Sequence, residues 1–416
     1  MLGNVVQQRS SIPALLAPPA QRSNPLLRSP LGIAGMLFLA FMLIACLGSL
    51  PWTLAPVDGS PRYDAQDRLA QLMPPSWIFR PELSQSTDPE LLPDGPLRRT
   101  HEIAARNLAA AGDSPTDDSL NAARPFYLLG TDILGRSLTV RALAGGGISL
   151  TIGLSAAFLS VLLGTLYGAI SGYAGGRTDA IMMRIVDVLF GLPYILLVVL
   201  LAVAIDASVG RWQSNAEVET RVLREAFVQQ AMAELPPGAA ADAAIQQDLN
   251  RQALASIPSR ELSPASRQSI AVITLVVAIG GVSWLTMARV IRGQVLSLKV
   301  QPFIEAARAA GVSTRGIFVR HLLPNLIGPI VVYATLTVPQ AILQESFLSF
   351  LGIGVRPPLP SWGNLAADGL SELNPYRSHW WLLLFPCLLL GSTLLALNFV
   401  GEALREALDP KRSRRR

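Results

Sequence analysis

The sequence predicts an all-α membrane protein with six transmembrane helices, and three observations carry that reading. Of its 416 residues, 50% are hydrophobic and only 15% charged, with a mean hydropathy of +0.40; soluble domains carry about 25% charged residues. Six uncharged stretches approach or exceed the roughly 20 residues that a helix needs to cross a bilayer core. The basic residues are densest in the short segments that would lie on one side of those stretches.

The first span is Leu31–Trp52, preceded by a tail over residues 1–30. Its apolar core begins too far into the chain, and runs too long, for a cleaved signal peptide. Residues 53–128 follow, rich in Pro, Asp, Ser and Arg without a sustained period; Pro74-Pro75 and Ser114–Asp118 read as turn or cap signals in an irregular segment with short helices. The second span lies between Arg141 and Arg177, centred on Gly147–Ile170, and the third is Val188–Ile205, bounded by Asp187 and Asp206. In the insertion 206–267, Ser214 would cap a helix to about Glu234, Pro236-Pro237-Gly238 would turn the chain, and Ala239–Ser256 would form a second helix. A projecting helical hairpin and a solvated insertion with no specific role fit this stretch equally. Gln268–Ala288, Leu322–Gln344 and Trp380–Gly401 complete the spans, and residues 402–416 form a basic tail.

Placing the N-terminus in the cytoplasm leaves residues 1–30, 171–187, 289–321 and 402–416 inside, with 3, 2, 6 and 6 basic residues against six acids. The long segments 53–146, 206–267 and 345–379 then lie outside and hold most of the acids. Both termini are therefore expected to be cytoplasmic, with two extracytoplasmic insertions.

Several chemistries are excluded. Lys299 and Lys411 are the only lysines and neither follows a Gly-rich loop, so the chain has no lysine-bearing phosphate loop of its own. Cys46 and Cys387 lie in apolar runs and read as small core residues rather than a disulfide. His101, His321 and His379 fall in three separate loops without ligand spacing, so no metal site is expected. No catalytic residue is expected either, since Ser and Asp form no hydrolase elbow or triad. Nor is nucleic acid an expected partner; the lipid membrane is. Glu345, at the outer end of the fifth span, is the best single candidate for a gate or pathway contact. Pairing with Arg356 or with another subunit is the plainer role for it. The absence of charge inside the spans argues against a proton-coupled carrier.

The loop 289–321 is the most informative segment. Ala306, Ala307, Ala309 and Ala310 favour helix, Gly311 permits a sharp C-terminal turn, and Ser313 can cap a second short helix towards His321. The result is a helix–turn–helix across the cytoplasmic mouth between the fourth and fifth spans. Small side chains would let it seat in a groove on another protein, with Glu305 suiting the helix N-terminus or a basic partner. An amphipathic interfacial helix with Glu305 merely capping fits these residues as well.

The string Glu305-Ala306-Ala307, then Gly311, then Leu323-Pro324 resembles the "EAA" loop of permease subunits of ABC importers. The ending His321-Leu322-Leu323-Pro324-Asn325 is similar to that of the dipeptide/oligopeptide/nickel branch. Leu129–Arg136, Ser171–Asp179, Leu348–Gly354 with Pro357-Pro358 and Pro360–Gly363, and Gly401–Pro410 fall in the branch's order. Ser137 replaces the branch's Asp, and Gly147 stands where many members carry Arg. This resemblance covers 129–205 and 268–410, which would be the two parts of a permease core (129–205 and 268–401 with its coupling loop 289–321). Residues 53–128 and 206–267 have no clear counterpart.

What the resemblance implies is a transport subunit without bound cofactor. ATP would be bound by two cytoplasmic ABC ATPases, docked at Glu305, Ala306, Ala307, Gly311, Leu323 and Pro324. A second permease would complete the pathway, and an extracytoplasmic solute-binding protein would deliver substrate, all at the inner membrane of a bacterium. Peptides are the expected cargo, with nickel, opines or oligosaccharides as alternatives; a secondary carrier and a membrane scaffold are the readings from other classes.

Overall fold

The computed structural model describes residues 30–57, 59–86, 88–235, 243–258, 262–374 and 378–408. The terminal tails 1–29 and 409–416, and the Pro236–Gly238 turn, lie outside the described residues. Among those described, six helices are long and apolar enough to cross a membrane. The end of the bundle where the first helix begins is called proximal below, and the other end distal.

Helix α1 (Pro30–Thr53) rises to the distal end and leads into a tiny antiparallel hairpin, β1 (Pro56–Val57) with β2 (Ser60–Pro61). This hairpin and two isolated antiparallel bridges, Thr131–Ser137 and Leu373–Ser378, are the β elements among the described residues. The rest of the segment holds single 3₁₀ turns and two helices, α2 (Pro96–Ala111) and α3 (Asp117–Ala122). Thr116 and Ser119 form a reciprocal capping box at the start of α3, as the Ser114–Asp118 string predicts. Buried Leu83, Ala104, Leu108 and Leu120 give this distal segment a small core of its own.

Helix α4 (Leu138–Ala174) descends to the proximal end, starting nine residues before the predicted second span. A turn at Gly175 and Gly176, both at positive φ, reverses the chain into α5 (Gly176–Phe190). There the predicted third span is corrected. Gly191-Leu192-Pro193 breaks the helix, because Pro lacks an N–H and disfavours helical geometry in the residue before it. The crossing helix is α6, Tyr194–Ala233, 40 residues without interruption. Ser214 is therefore not an N-cap: the hairpin's first helix is the continuation of the span. Helix α7 (Ala243–Ser256) packs back on it, with Arg224 donating two hydrogen bonds to the Ile257 carbonyl.

Helix α8 (Pro264–Leu298), capped by Ser263, runs parallel to α4. It extends ten residues past the predicted fourth span, so the predicted loop 289–321 begins as helix. Beyond it come α9 (Pro302–Ala309) and α10 (Thr314–Ile317), then a π-helical turn Phe318–Leu322, and α11 (Leu323–Phe350) returns to the distal end. A short helix, α12 (Trp362–Ser371), sits across that end, and α13 (Trp381–Leu408) descends.

The core is the α4–α8 seam, where Ala156, Ala157, Leu275, Ala278 and Ile279 are buried. Small residues bring the two backbones together. A Cβ on Gly168 would lie 2.3 Å from the Ala288 carbonyl oxygen, so nothing larger than Gly fits there. Gly280 uses its missing side chain in the same way against Ala156, as a packing position rather than a bend. Cys46 is buried against α4, as expected, whereas Cys387 is exposed on α13.

Candidate functional site

Pro302 starts α9 at the position where its missing N–H costs nothing. Ile304 and Ala307 face the bundle, in one apolar cluster with Met287, Ile291 and Val295 of α8 and with Ile317, Leu322 and Leu326. The opposite side of the turn is open: Glu305, Ala306, Arg308, Ala309, Ala310 and Gly311 are exposed. Gly311 adopts φ +77°, with nothing within 4 Å of where a Cβ would stand. Glycine is required there by the backbone, which must turn left-handed to end α9, and not by lack of space. Ser313 then caps α10, accepting a hydrogen bond from the Gly316 amide at 3.2 Å. The predicted helix–turn–helix is present, on fewer residues than expected.

The Leu323-Pro324-Asn325 element has a local reason. Pro324 has no N–H to give the Arg320 carbonyl, and the chain widens into the π turn, where the Leu323 amide bonds the Phe318 carbonyl. Asn325 Nδ2 donates to the His321 carbonyl at 2.6 Å, satisfying an acceptor at that turn. Of the six residues predicted for docking, Glu305, Ala306, Gly311 and Pro324 are exposed and Leu323 is half-buried, while Ala307 is buried and serves the bundle. Phe303 and Val319 are exposed beside them, 41% and 59% accessible, and were not foreseen. The available signal was the helical offset of Phe303 from the buried pair Ile304 and Ala307.

A charged clamp behind this turn ties α8 to α4 and α5. Arg292 Nε and Nη2 donate to the two oxygens of Asp179 at 2.5 and 2.6 Å, and Ser171 Oγ donates to the same carboxylate at 2.5 Å. The bidentate hydrogen bond from Arg292 holds Asp179 below the usual carboxylate range; burial opposes it and Ser171 assists. Lys299 Nζ donates to the Gly172 carbonyl at 2.9 Å. The Ser171–Asp179 string is thus the receiving half of a contact whose other half lies on α8.

At the distal end, Asp132 is the centre of a second network. It accepts from the amides of Leu134 and Arg136, from Arg136 Nε at 2.7 Å, and from Arg141 Nη1 at 2.5 Å. Arg136 also reaches Asp64 at 2.8 Å. Asp132, Arg136 and Arg141 are each under 10% exposed. Arg141 lies in the first turn of α4, ahead of the apolar stretch Gly147–Ile170.

Glu345 is also relocated. It is fully buried, accepting from Ser349 Oγ at 2.7 Å and Ser346 Oγ at 3.3 Å, with Ser149 of α4 and Ser361 also turned to its carboxyl. Arg356 instead pairs with Asp206 at 2.5 Å on the surface. Trp362, wholly buried, donates its ring N–H to the Ala142 carbonyl at 3.1 Å and its amide to Ser149 Oγ at 3.3 Å. Glu345 and Trp362 together lock α12 onto α4 and α11 at the distal end.

Residues 164–414 match the family described as binding-protein-dependent transport system inner membrane component. The chain is similar to an oligopeptide transport system permease protein of Haemophilus influenzae, 37% identical over 300 residues, covering 71% of this chain and 75% of the relative. It is 35% identical over 317 residues to a dipeptide transport system permease protein of Bacillus subtilis (76% of each chain). An oligopeptide transport system permease protein of Escherichia coli K12 is 41% identical over 287 residues, covering 68% of this chain and 72% of that one.

Proposed function

The chain belongs to the family of binding-protein-dependent transport system inner membrane components, and from that premise we propose that it carries peptides across the inner membrane as one half of an ATP-driven importer. The work of ATP hydrolysis falls to two separate ATPase subunits docked on the exposed face of α9–α10. A second, related permease supplies the other half of the pathway, and a solute-binding protein delivers the peptide. The proximal end is cytoplasmic, both termini included, and the insertions 53–128 and 206–267 are extracytoplasmic. Trp52 at the end of α1, and Trp380 and Trp381 at the start of α13, lie at the distal end, where aromatic residues suit a membrane–water boundary.

The observation that carries the coupling role is the pairing of an open α9 face with a rigid anchor. Glu305, Ala306, Gly311 and Pro324 present a small, low-profile turn, flanked by the apolar Phe303 and Val319. Behind them Arg292 ties α8 to Asp179 of α5, and Lys299 at its end ties it to α4. A partner that binds this face differently in its two nucleotide states shifts the bundle with it, and without that difference ATP would shift nothing.

The test is uptake by the assembled transporter in proteoliposomes. Glu305→Arg and Ala306→Trp are expected to leave ATPase activity but to cut peptide uptake at least tenfold, while the chain stays in the membrane. Unimpaired uptake in both variants would sink the docking assignment. Wild-type transporter that accumulates no peptide would sink the cargo assignment.

A further inference from the structure

Helices α6, α8 and α11, with the end of α5, line a groove of about 630 Å³. Its polar lining is distinctive. Tyr194 OH lies 2.7 Å from both Ser283 Oγ and Gln344 Oε1, and Gln340 stands one helical turn before Gln344. None of the lining side chains is charged, and none is His or Cys; the nearby Arg289, over the Phe190 ring, is paired with Asp187. On α11 the exposed positions Leu336, Gln340, Leu343 and Phe347 fall at spacings of three and four, so they form one stripe bordering the groove.

An exposed carboxamide in the middle of a spanning helix cannot rest against hydrocarbon, because no partner there would replace its hydrogen bonds to water. Gln340 must therefore face something polar. A glutamine both donates and accepts, as do tyrosine, serine and threonine hydroxyls. Such a lining matches a chain of neutral amides, whose N–H and C=O groups alternate along its length. A transition-metal ion would call for imidazole, thiolate or carboxylate ligands, and an anion for Arg or Lys. Neither set is present. The intervening apolar side chains, Leu336 and Leu343, suit varied residues without demanding any one of them.

We propose that this groove is the wall of the pathway that touches the passenger, and that it takes peptide backbone through Tyr194, Gln340 and Gln344 while ignoring side-chain charge. This rests on the peptide-importer reading above and adds to it the residues that meet the cargo.

The experiment uses the complete transporter in proteoliposomes, with three tripeptides as probes: Ala-Ala-Ala, Ala-Glu-Ala and Ala-Lys-Ala. Wild type is expected to carry all three within about threefold of one another. Gln340→Glu places a like charge against the acidic probe in a low-dielectric groove and is expected to lower the Ala-Glu-Ala to Ala-Lys-Ala ratio about tenfold. An unchanged ratio overturns the proposal, since a role in packing alone would affect all probes alike. Should Gln340→Glu fail to assemble, Gln340→Cys in a chain with Cys46→Ala and Cys387→Ala is labelled with a maleimide. Labelling slowed by Ala-Ala-Ala supports the assignment. Labelling that the tripeptide leaves unchanged gives the face to the partner permease and overturns it. Wild-type transporter that moves none of the probes fails the importer reading instead, so the two failures are told apart.

Discussion

Asp132 gathers two backbone amides and two arginines around one carboxylate. Removing it would leave Arg136 to Asp64 alone and buried Arg141 with only the more distant Asp368, at 3.7 Å; breaking a buried ion pair costs about 3–5 kcal/mol. Asp132→Ala is expected to lower the thermal unfolding temperature in detergent sharply, whereas exposed Asp117→Ala shifts it little. Asp179 makes a pH-dependent counterpart. Its carboxyl is held below the ordinary value of 3.8, chiefly by Arg292. A group lowered on folding stabilises above its unfolded value, and that contribution fades as pH falls through the folded one. Wild type and Asp179→Asn should therefore differ in thermal stability at pH 6 to 7 and converge as the pH drops below 3.8. Constant separation down to low pH would refute the clamp. The strings containing both aspartates were legible in the sequence, Arg136 among them; the partners contributed by distant segments were not. Arg292 lies 113 positions from Asp179, and Asp64 lies 72 from Arg136, and no local pattern links residues so far apart.

At the scale of the helix, the cap residues gave the Gly311–Ser313 turn, and apolar length gave the right number of crossings. It misplaced the third crossing for a physical reason. The exposed face of α5 carries Ile181, Ile185, Val188 and Phe190, so its apolar end merges with the following run and hides the break at Pro193. The continuous extension of α6 was hidden too, because Ser214 is a good cap residue but nothing before it stops the helix. Close packing leads to a sharp test. Gly168→Leu would drive a side chain into the Ala288 carbonyl, where even a Cβ would stand 2.3 Å away. Overpacking of this kind costs roughly 1–3 kcal/mol or more, so loss of folded protein by size-exclusion chromatography is expected. Gly311→Val instead meets open space but an unfavourable φ. It is expected to fold, with uptake reduced more than stability.

For the molecule as a whole, α4 and α8 are the most enclosed crossings and α6 and α13 the least. A bundle built this way leaves broad faces for lipid and for a second permease. The proposed orientation is checked by a membrane-impermeant thiol reagent applied outside the cell, again with Cys46 and Cys387 replaced by Ala. Asn215→Cys is expected to react and Ala309→Cys to be protected; the reverse would invert the chain. Composition was enough to place the protein in a membrane. It could not show that Glu345 and Arg141 lie inside, since charge at the edge of an apolar run looks the same whether it points to water or to serine hydroxyls.

The uninterrupted α6 has a mechanical consequence. At about 1.5 Å per residue its 40 residues reach roughly 60 Å, and Trp212 stands about 27 Å from Tyr194, near the thickness of the hydrocarbon layer. In the proposed orientation the remaining turns project beyond it as a stiff arm with its fulcrum in the membrane. Rocking the crossing by about 10° would sweep the arm's tip through some 6 Å, by the same rise per residue. Whatever rests on that tip would register the state of the bundle at a distance, without touching the groove.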